Sequence, residues 1–304
     1  NALKHHVVRK HGTGGLRGVF QGRLNNCWEY TFNAMQFKPL IYLDSAHPER
    51  VYCPLPSLLE TRLLEGLFFD LYTKGEGFEI AYGQAVDELI GRILLDLKHL
   101  YEISKPIVAR AKGGDIHGAD WILQSELDCV FIECKAKRMS MAARVAERAD
   151  DLRKELTYLA KAVVQNYRNI IRFVENQVSG RISCRNLYCV VVTLEDWILF
   201  SPITHAMIRK SVEEELSRYD IPSTLINQIP YQVMSTSTFQ YCLAALKNSS
   251  ISEVFTGIAD SKYDGWSFDS YLKSEFPALE THSVGEFGAE FDVLFKDFID
   301  SVKT

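Results

Sequence analysis

Several familiar signatures are missing from this chain. No Cys-x-x-Cys pair occurs among its seven cysteines, at positions 27, 53, 129, 134, 184, 189 and 242, and that spacing argues against a zinc site. The cysteine count is odd, and several of the thiols sit in apolar runs, as Cys189 does within Leu187–Val192. They are expected to be reduced, mostly buried thiols of a cytoplasmic protein. No apolar stretch reaches membrane-spanning length, so no membrane span is expected. The opening Asn1-Ala-Leu-Lys-His-His is polar and basic and has no apolar core, so no signal peptide is expected. The absent initiator Met is compatible with a fragment or a processed chain. His5, His6, His11, His47, His99, His205 and His282 form no HxxxH ligand pair. Nor is there a basic balance: the formal charge is -5 and the pI about 5.9. That excludes a simple electrostatic coat on nucleic acid, but not a local basic face that binds phosphate. There is no internal repeat and no low-complexity segment.

What is present is ordinary globular material. The 304 residues are 47% hydrophobic and 24% charged, enough for a real core in one large domain or two modest ones. Gly12, Gly14, Gly15 and Gly18 lie among Arg and His and read as a loop. Glu29–Phe37 and Leu40–Leu43 read as short strands. Pro54 and Pro56 announce a helix in which Leu58, Leu59, Leu63, Leu64, Leu67, Phe68 and Leu71 recur at helical spacing, ended by Gly75 and Gly77. A second helix is expected from about Ile80 to Leu100, with Ala85, Leu89, Ile93 and Leu97 on one face.

The middle of the chain then changes period. Pro106–Ala111, Ala119–Gln124 and residues 128 or 129 to Ala136 read as strands, separated by turns at Gly113-Gly114 and Ser125–Leu127. A long helix rich in Ala, Leu, Arg, Lys and Glu is expected from about Met141 to Gln177. Leu187–Thr193 is strongly β-branched, as a central strand buried on both faces would be. Helix, three strands, helix and strand in this order predict an α/β fold, a mixed central sheet flanked by helices. Beyond Pro202 the pattern turns helical, at Thr204–Tyr219, Phe239–Lys247 and Val284–Ser301.

Chemistry concentrates at Asp120 and at Val130-Phe-Ile-Glu133-Cys-Lys135. Strand side chains alternate between faces, so Glu133 and Lys135 share one face with Phe131, while Val130, Ile132, Cys134 and Ala136 take an apolar one. If Ser125–Leu127 makes a hairpin, Asp120 approaches Glu133 at one end of the sheet. Two carboxylates and a lysine ending an apolar strand are costly, on the order of several kcal/mol for an unpaired buried charge. A divalent cation would relieve that cost. Mg²⁺ takes oxygen ligands, often one or two carboxylates plus substrate phosphate, and the lysine could orient or deprotonate an attacking water, or neutralise developing charge. The set suits phosphodiester hydrolysis.

The run GADWILQSELDCVFIECKAK, residues 118 to 137, resembles the core hairpin of the PD-(D/E)xK, or restriction-endonuclease-like, nuclease superfamily. Asp120 matches the motif Asp, and Glu133 and Lys135 match ExK. The resemblance implies a Mg²⁺-dependent nuclease (Mn²⁺ substituting), with DNA favoured over RNA, and a setting in restriction, anti-phage defence, repair or mobile-element processing, defence being preferred here. It further implies an acidic metal-site residue on the preceding helix, where Gly83-Gln-Ala-Val-Asp87-Glu88 offers Asp87 or Glu88. Gln165 matches the polar residue found on the following helix, and Tyr188–Leu194 resembles the next core strand. Ala119 stands where the family has proline, and Asp87 where it usually has Glu. The resemblance spans residues 76–200, leaving 1–75 as an N-terminal accessory segment and 201–304 as a helical C-terminal region. The rival readings are a non-catalytic nucleic-acid-binding or assembly module that keeps the fold, and a regulatory domain whose C-terminal helices form a homo-oligomeric or partner interface. Trp121 reads as packing. His117 could lie near the site or be structural. Arg138, Arg144, Arg148, Arg153 and Lys154 either line a phosphate-facing groove or belong to a salt-bridged helix face.

Overall fold

The computed structural model describes residues 77–105, 118–140, 149–175, 184–197 and 199–277 without interruption, most of 39–71, the stretches 7–8, 109–111 and 114–116, and the single residues Met35, Ala143 and Lys296. The expectations for the glycine cluster, for Glu29–Phe37 apart from Met35, and for Val284–Ser301 apart from Lys296 lie outside these residues. The chain divides into two compact units, residues 1–85 with 139–155, and residues 86–138 with 156–304.

In the first unit, β1 (Val7–Val8) pairs in parallel with β2 (Leu40–Ile41). Ile41 also exchanges two backbone hydrogen bonds with Tyr52, at 2.8 and 2.9 Å. Helix α1 (Pro56–Leu64) begins on a proline, whose fixed φ suits a first helical position. Leu63 on α1 is exposed, so the apolar face expected there is not uniformly buried.

Helix α2 (Phe78–Leu95) leads into the second unit. There β3 (Glu102–Ser104), β6 (Trp121–Gln124), β7 (Asp128–Lys135), β8 (Asn186–Thr193) and β9 (Tyr231–Ser235) form one sheet in the order β3-β6-β7-β8-β9. The pairs β3/β6 and β6/β7 are antiparallel, and β7/β8 and β8/β9 are parallel. Between β3 and β6, β4 (Ala109–Ala111) and β5 (Gly114–Ile116) make a separate two-stranded hairpin. The long helix α3 (Ala149–Glu175) joins β7 to β8, the crossover that parallel neighbours require. Helices α4 (Pro202–Ser217), α5 (Leu225–Gln228), α6 (Thr236–Leu246), α7 (Ile251–Thr256) and α8 (Phe268–Glu275) complete the unit. Ser201, Ser235, Ser250 and Ser267 each cap a helix through the side-chain oxygen. The fold is α/β, a mixed five-stranded sheet flanked by helices.

The sheet is buried on both faces. On one, Val130, Ile132, Val190 and Val192 join Ile90, Ile93, Leu94 and Leu97 from α2 and its C-terminal turn, and Phe239, Leu243, Phe255 and Tyr271 from the C-terminal helices. Toward α3, Phe131 meets Phe173 edge-on at 4.9 Å. There too the fully buried Asn166 donates from Nδ2 to the carbonyls of Phe131 at 2.8 Å and Val190 at 3.1 Å. One amide thus clamps the two central strands.

Three expectations are corrected. The buried face of α2 is Val86, Ile90, Ile93 and Leu94, whereas Ala85 is exposed; in its first half the packed stripe runs through Val86 and Ile90, one position on from the expected Ala85 and Leu89. The region from 201 onward, expected to be helical, also contributes β9. Pro230 masks that strand's start, and its Tyr231, Gln232 and Val233 are only half-buried, as an edge strand's residues are, so no alternation announces it. The cysteines are not all free thiols: a disulfide joins Cys129 to Cys184, with Cα atoms 5.9 Å apart. The parallel register pairs Asp128 with Asn186, and the amides of Arg185 and Asn186 both donate to the Leu127 carbonyl, so the two chain entries converge there. Cys53, Cys134, Cys189 and Cys242 are free. Among the described residues, no helix is long and apolar enough to cross a membrane.

Replacing Asn166 with Ala should strand two strand carbonyls and lower stability by about 2 kcal/mol, which thermal denaturation would record as a midpoint roughly 5 °C lower.

Candidate active site

The site forms where β6 begins and β7 ends. The antiparallel register pairs Trp121 with Ile132, so Asp120, the next residue outward, stands opposite Glu133. Its Oδ2 accepts a hydrogen bond from the Cys134 amide at 2.7 Å. A side chain thereby continues the ladder past the last backbone pair and fixes the carboxylate at the sheet end.

On the α3 side of β7, the Lys135 ammonium donates to Glu133 Oε1 at 2.7 Å and to Gln165 Oε1 at 3.2 Å. Gln165 reaches in from an exposed position on α3. Glu133 is 2% exposed, and its second oxygen, Oε2, is buried without a hydrogen-bond partner among the described residues. A carboxylate oxygen in that state carries a desolvation penalty that no hydrogen bond from the described residues offsets.

Burial accordingly pushes the Glu133 carboxyl up to about 7, against the pull of Lys135 and with a further push from the Asp120 charge. Burial raises Asp120 too, while the Cys134 amide and Lys135 oppose it. For Lys135, burial acts downward, but the charge and hydrogen bond of Glu133 outweigh it and the net shift is upward. Lys135 is therefore an ammonium at neutral pH. The Cys134 thiol is driven upward by burial and by the surrounding carboxylates, so it stays protonated.

Asp87, on α2, lies beside this group and has its own partners. The Trp121 indole N–H donates to its Oδ1 at 2.7 Å, and Lys105, just past β3, donates to Oδ2 at 2.5 Å. The Lys105 ammonium also sits 4.4 Å from the centre of the Trp121 ring, a cation–π contact. The structure thus gathers Asp120, Glu133, Lys135, Gln165 and Asp87. Glu88, the neighbouring alternative, is exposed on α2.

His117, Arg144 and Arg148 lie outside the described residues. Arg138 forms an ion pair with Glu195 at 3.5 Å, both largely buried, and neither residue lies on a helix. Arg153 and Lys154 are exposed, and Lys154 pairs with Asp151 at 3.8 Å. Lys105 and the second role of Trp121 escaped the sequence reading. The only hint is that Trp121 adjoins Asp120; nothing about Lys105 in the sequence links it to Asp87.

Among the described residues, no group of three or more His, Cys, Asp or Glu side chains is gathered to hold a metal ion. What the site offers a cation is the unpartnered Glu133 Oε2 with Asp120 beside it, a donor set of oxygens that fits a hard ion completing its shell with water and phosphate.

No protein-family model matches the chain, and no curated protein matches it. Among solved structures it is similar to the small subunit of the heterodimeric restriction endonuclease R.BspD6I, with 10% identity and a TM-score of 0.30 over 70% of this chain and 88% of that one. The likeness is faint, and the fold description rests on the sheet itself.

The Glu133 shift makes stability depend on pH. The folded carboxyl, at about 7 against a usual 4.5, holds its proton more tightly than the unfolded one. In EDTA the protein should therefore lose stability as pH rises from about 4.5 to 7, by roughly 3 kcal/mol, and level off above. Glu133→Gln should flatten most of that decline when melting midpoints are compared across pH 5 to 8.

Proposed function

We propose that this protein is a divalent-metal-dependent nuclease, hydrolysing phosphodiester bonds in nucleic acid and acting on DNA in preference to RNA. The observation that carries the reading is the buried, unpartnered Oε2 of Glu133, set between Asp120 and Lys135. A cation is the simplest partner for it. Asp120 and Glu133 are the residues that would hold Mg²⁺, or Mn²⁺ in its place. When bound, such an ion polarises a phosphoryl oxygen and makes a water more acidic.

The remaining work falls to side chains of this chain. Lys135, protonated at neutral pH and tethered to Glu133 and Gln165, orients the attacking water and offsets charge developing on the phosphoryl oxygens. Its upward shift favours this electrostatic role over that of a general base. Gln165 holds the Lys135 head group from α3. Asp87 acts on the site through Trp121 and Lys105, and its charge adds to the negative field on Asp120 and Glu133. The setting preferred from the motif resemblance is defence against phage, in a cytoplasmic enzyme that works alone, as a homo-oligomer or with a partner protein.

A second reading has one specific observation in its favour. Asp87 is engaged by Trp121 and Lys105, which leaves two carboxylates for the ion and suits a non-catalytic nucleic-acid-binding or assembly module.

Supercoiled plasmid should be nicked or linearised in Mg²⁺ or Mn²⁺ and left intact in EDTA, and Lys135→Ala should slow cleavage by about 100-fold or more. Cleavage that persists in EDTA, or an unimpaired Lys135→Ala, would overturn the metal–lysine mechanism; binding without cleavage in either metal would establish the module reading. Because the ion displaces a proton from a carboxyl near 7, Mg²⁺ should raise the melting midpoint more at pH 8 than at pH 6.

A further inference from the structure

The sequence places an unusual support beneath one half-exposed lysine. The Lys105 side chain is 51% exposed, yet two residues fix it. Asp87 Oδ2 takes one of its protons at 2.5 Å. The Trp121 ring lies under the ammonium at 4.4 Å. The same indole locks Asp87 through Nε1 at 2.7 Å, so the three side chains form a closed triangle. Gly91, one turn along α2 from Asp87, makes room for it: a Cβ there would fall 2.3 Å from Trp121 Cζ2. The ring can press against α2 only because residue 91 carries no side chain.

A surface lysine paired merely for stability gains little from such bracing, since exposed ion pairs are screened by water and contribute little. Bracing instead fixes where the ammonium's free donors point. The β3/β6 register pairs Ser104 with Ile122, so Lys105, one residue further, stands opposite Trp121 at the sheet end where Asp120 lies. Lys135 stands on the Glu133 side. Two ammonium groups thus lie at the same sheet end as the carboxylates, Lys135 paired with Glu133 and Lys105 with Asp87, in a protein whose net charge is -5 and which offers an approaching polyanion little general attraction. Asp87, Asp120 and Glu133 would together repel a phosphodiester unless local cations answer them.

We infer that Lys105 is a substrate-binding residue that contacts a backbone phosphate of the nucleic acid next to the one being cleaved, and that Asp87, Trp121 and Gly91 are the positioning residues that aim it. This inference rests on the nuclease reading of the Asp120–Glu133–Lys135 site. Lysine suits the role because its ammonium has three donors: Asp87 takes one, and others remain for phosphate oxygens. The contact is to the backbone, so it contributes affinity and register without sequence preference.

The test measures binding apart from catalysis. Fluorescence anisotropy of a labelled DNA duplex is followed in EDTA over a series of NaCl concentrations, for the wild type, Lys105→Met and Lys105→Arg, with melting curves to confirm folding. Lys105→Met should bind about three- to ten-fold more weakly at low salt, and its slope of log affinity against log salt should be shallower by about one, the signature of one lost phosphate contact. Lys105→Arg should restore both. In Mg²⁺, Lys105→Met should raise KM more than it lowers kcat. An unchanged slope in a folded Lys105→Met protein overturns the inference, as does a loss that Lys105→Arg shares in full. Wild-type protein that cleaves in Mg²⁺ while Lys105→Met keeps its affinity and slope sinks only the Lys105 assignment. Wild-type protein that neither binds nor cleaves sinks the nuclease reading and this inference together.

Discussion

The candidate site depends on one awkward fact, the burial of a carboxylate at the end of a strand that is otherwise core. Glu133 follows Val130, Phe131 and Ile132 into the sheet and has a protein partner for only one of its oxygens. Lys135 is drawn in to answer that oxygen, and Gln165 is drawn toward Lys135. Asp120 is held alongside by the Cys134 amide and raises the local negative field further. The side chains assigned to the chemistry are thus arranged around a charge that the protein leaves half satisfied, a pattern typical of groups with shifted pKa values at working sites.

The scaffold keeps that charge in place. Strands β7 and β8 are tied at their start by the Cys129–Cys184 disulfide, in their middle by Asn166, and at their end by the hydrogen bond from the Leu194 amide to the Lys135 carbonyl. The strand that carries Glu133 and Lys135 therefore has little freedom to relax and bring solvent to the buried oxygen. Rigid elements under a reactive cluster are what preorganisation requires.

How much of this could be read in advance varied with the physics behind each feature. The β6–β7 hairpin and β8 were legible because apolar alternation and β-branched runs are local properties, and the closeness of Asp120 to Glu133 follows from hairpin register alone. Glu133 and Lys135 share a face by strand alternation, but Gln165 was named only through the motif resemblance, since no local pattern brings α3 back over β7. Strand β3 was missed because three residues carry no period, and β9 because an edge strand half-exposes its side chains. The Cys129–Cys184 bond was missed for a related reason: the parallel register that joins them is closed by a helix crossover, and sequence spacing alone does not encode it. Lys105 was invisible for the same cause, its partner Asp87 lying on the far side of a turn and a strand.

The bond from the Cys134 amide to Asp120 has an implication for how this residue is dissected. Asp120 is at once a proposed ligand and the peg that closes the last rung of the hairpin. Truncating it to alanine would remove both functions together and let the strand end fray, so a dead variant would be ambiguous. Asparagine keeps an oxygen that can still take the amide hydrogen while discarding the negative charge. The isosteric amide is therefore the substitution that separates architecture from chemistry at this position.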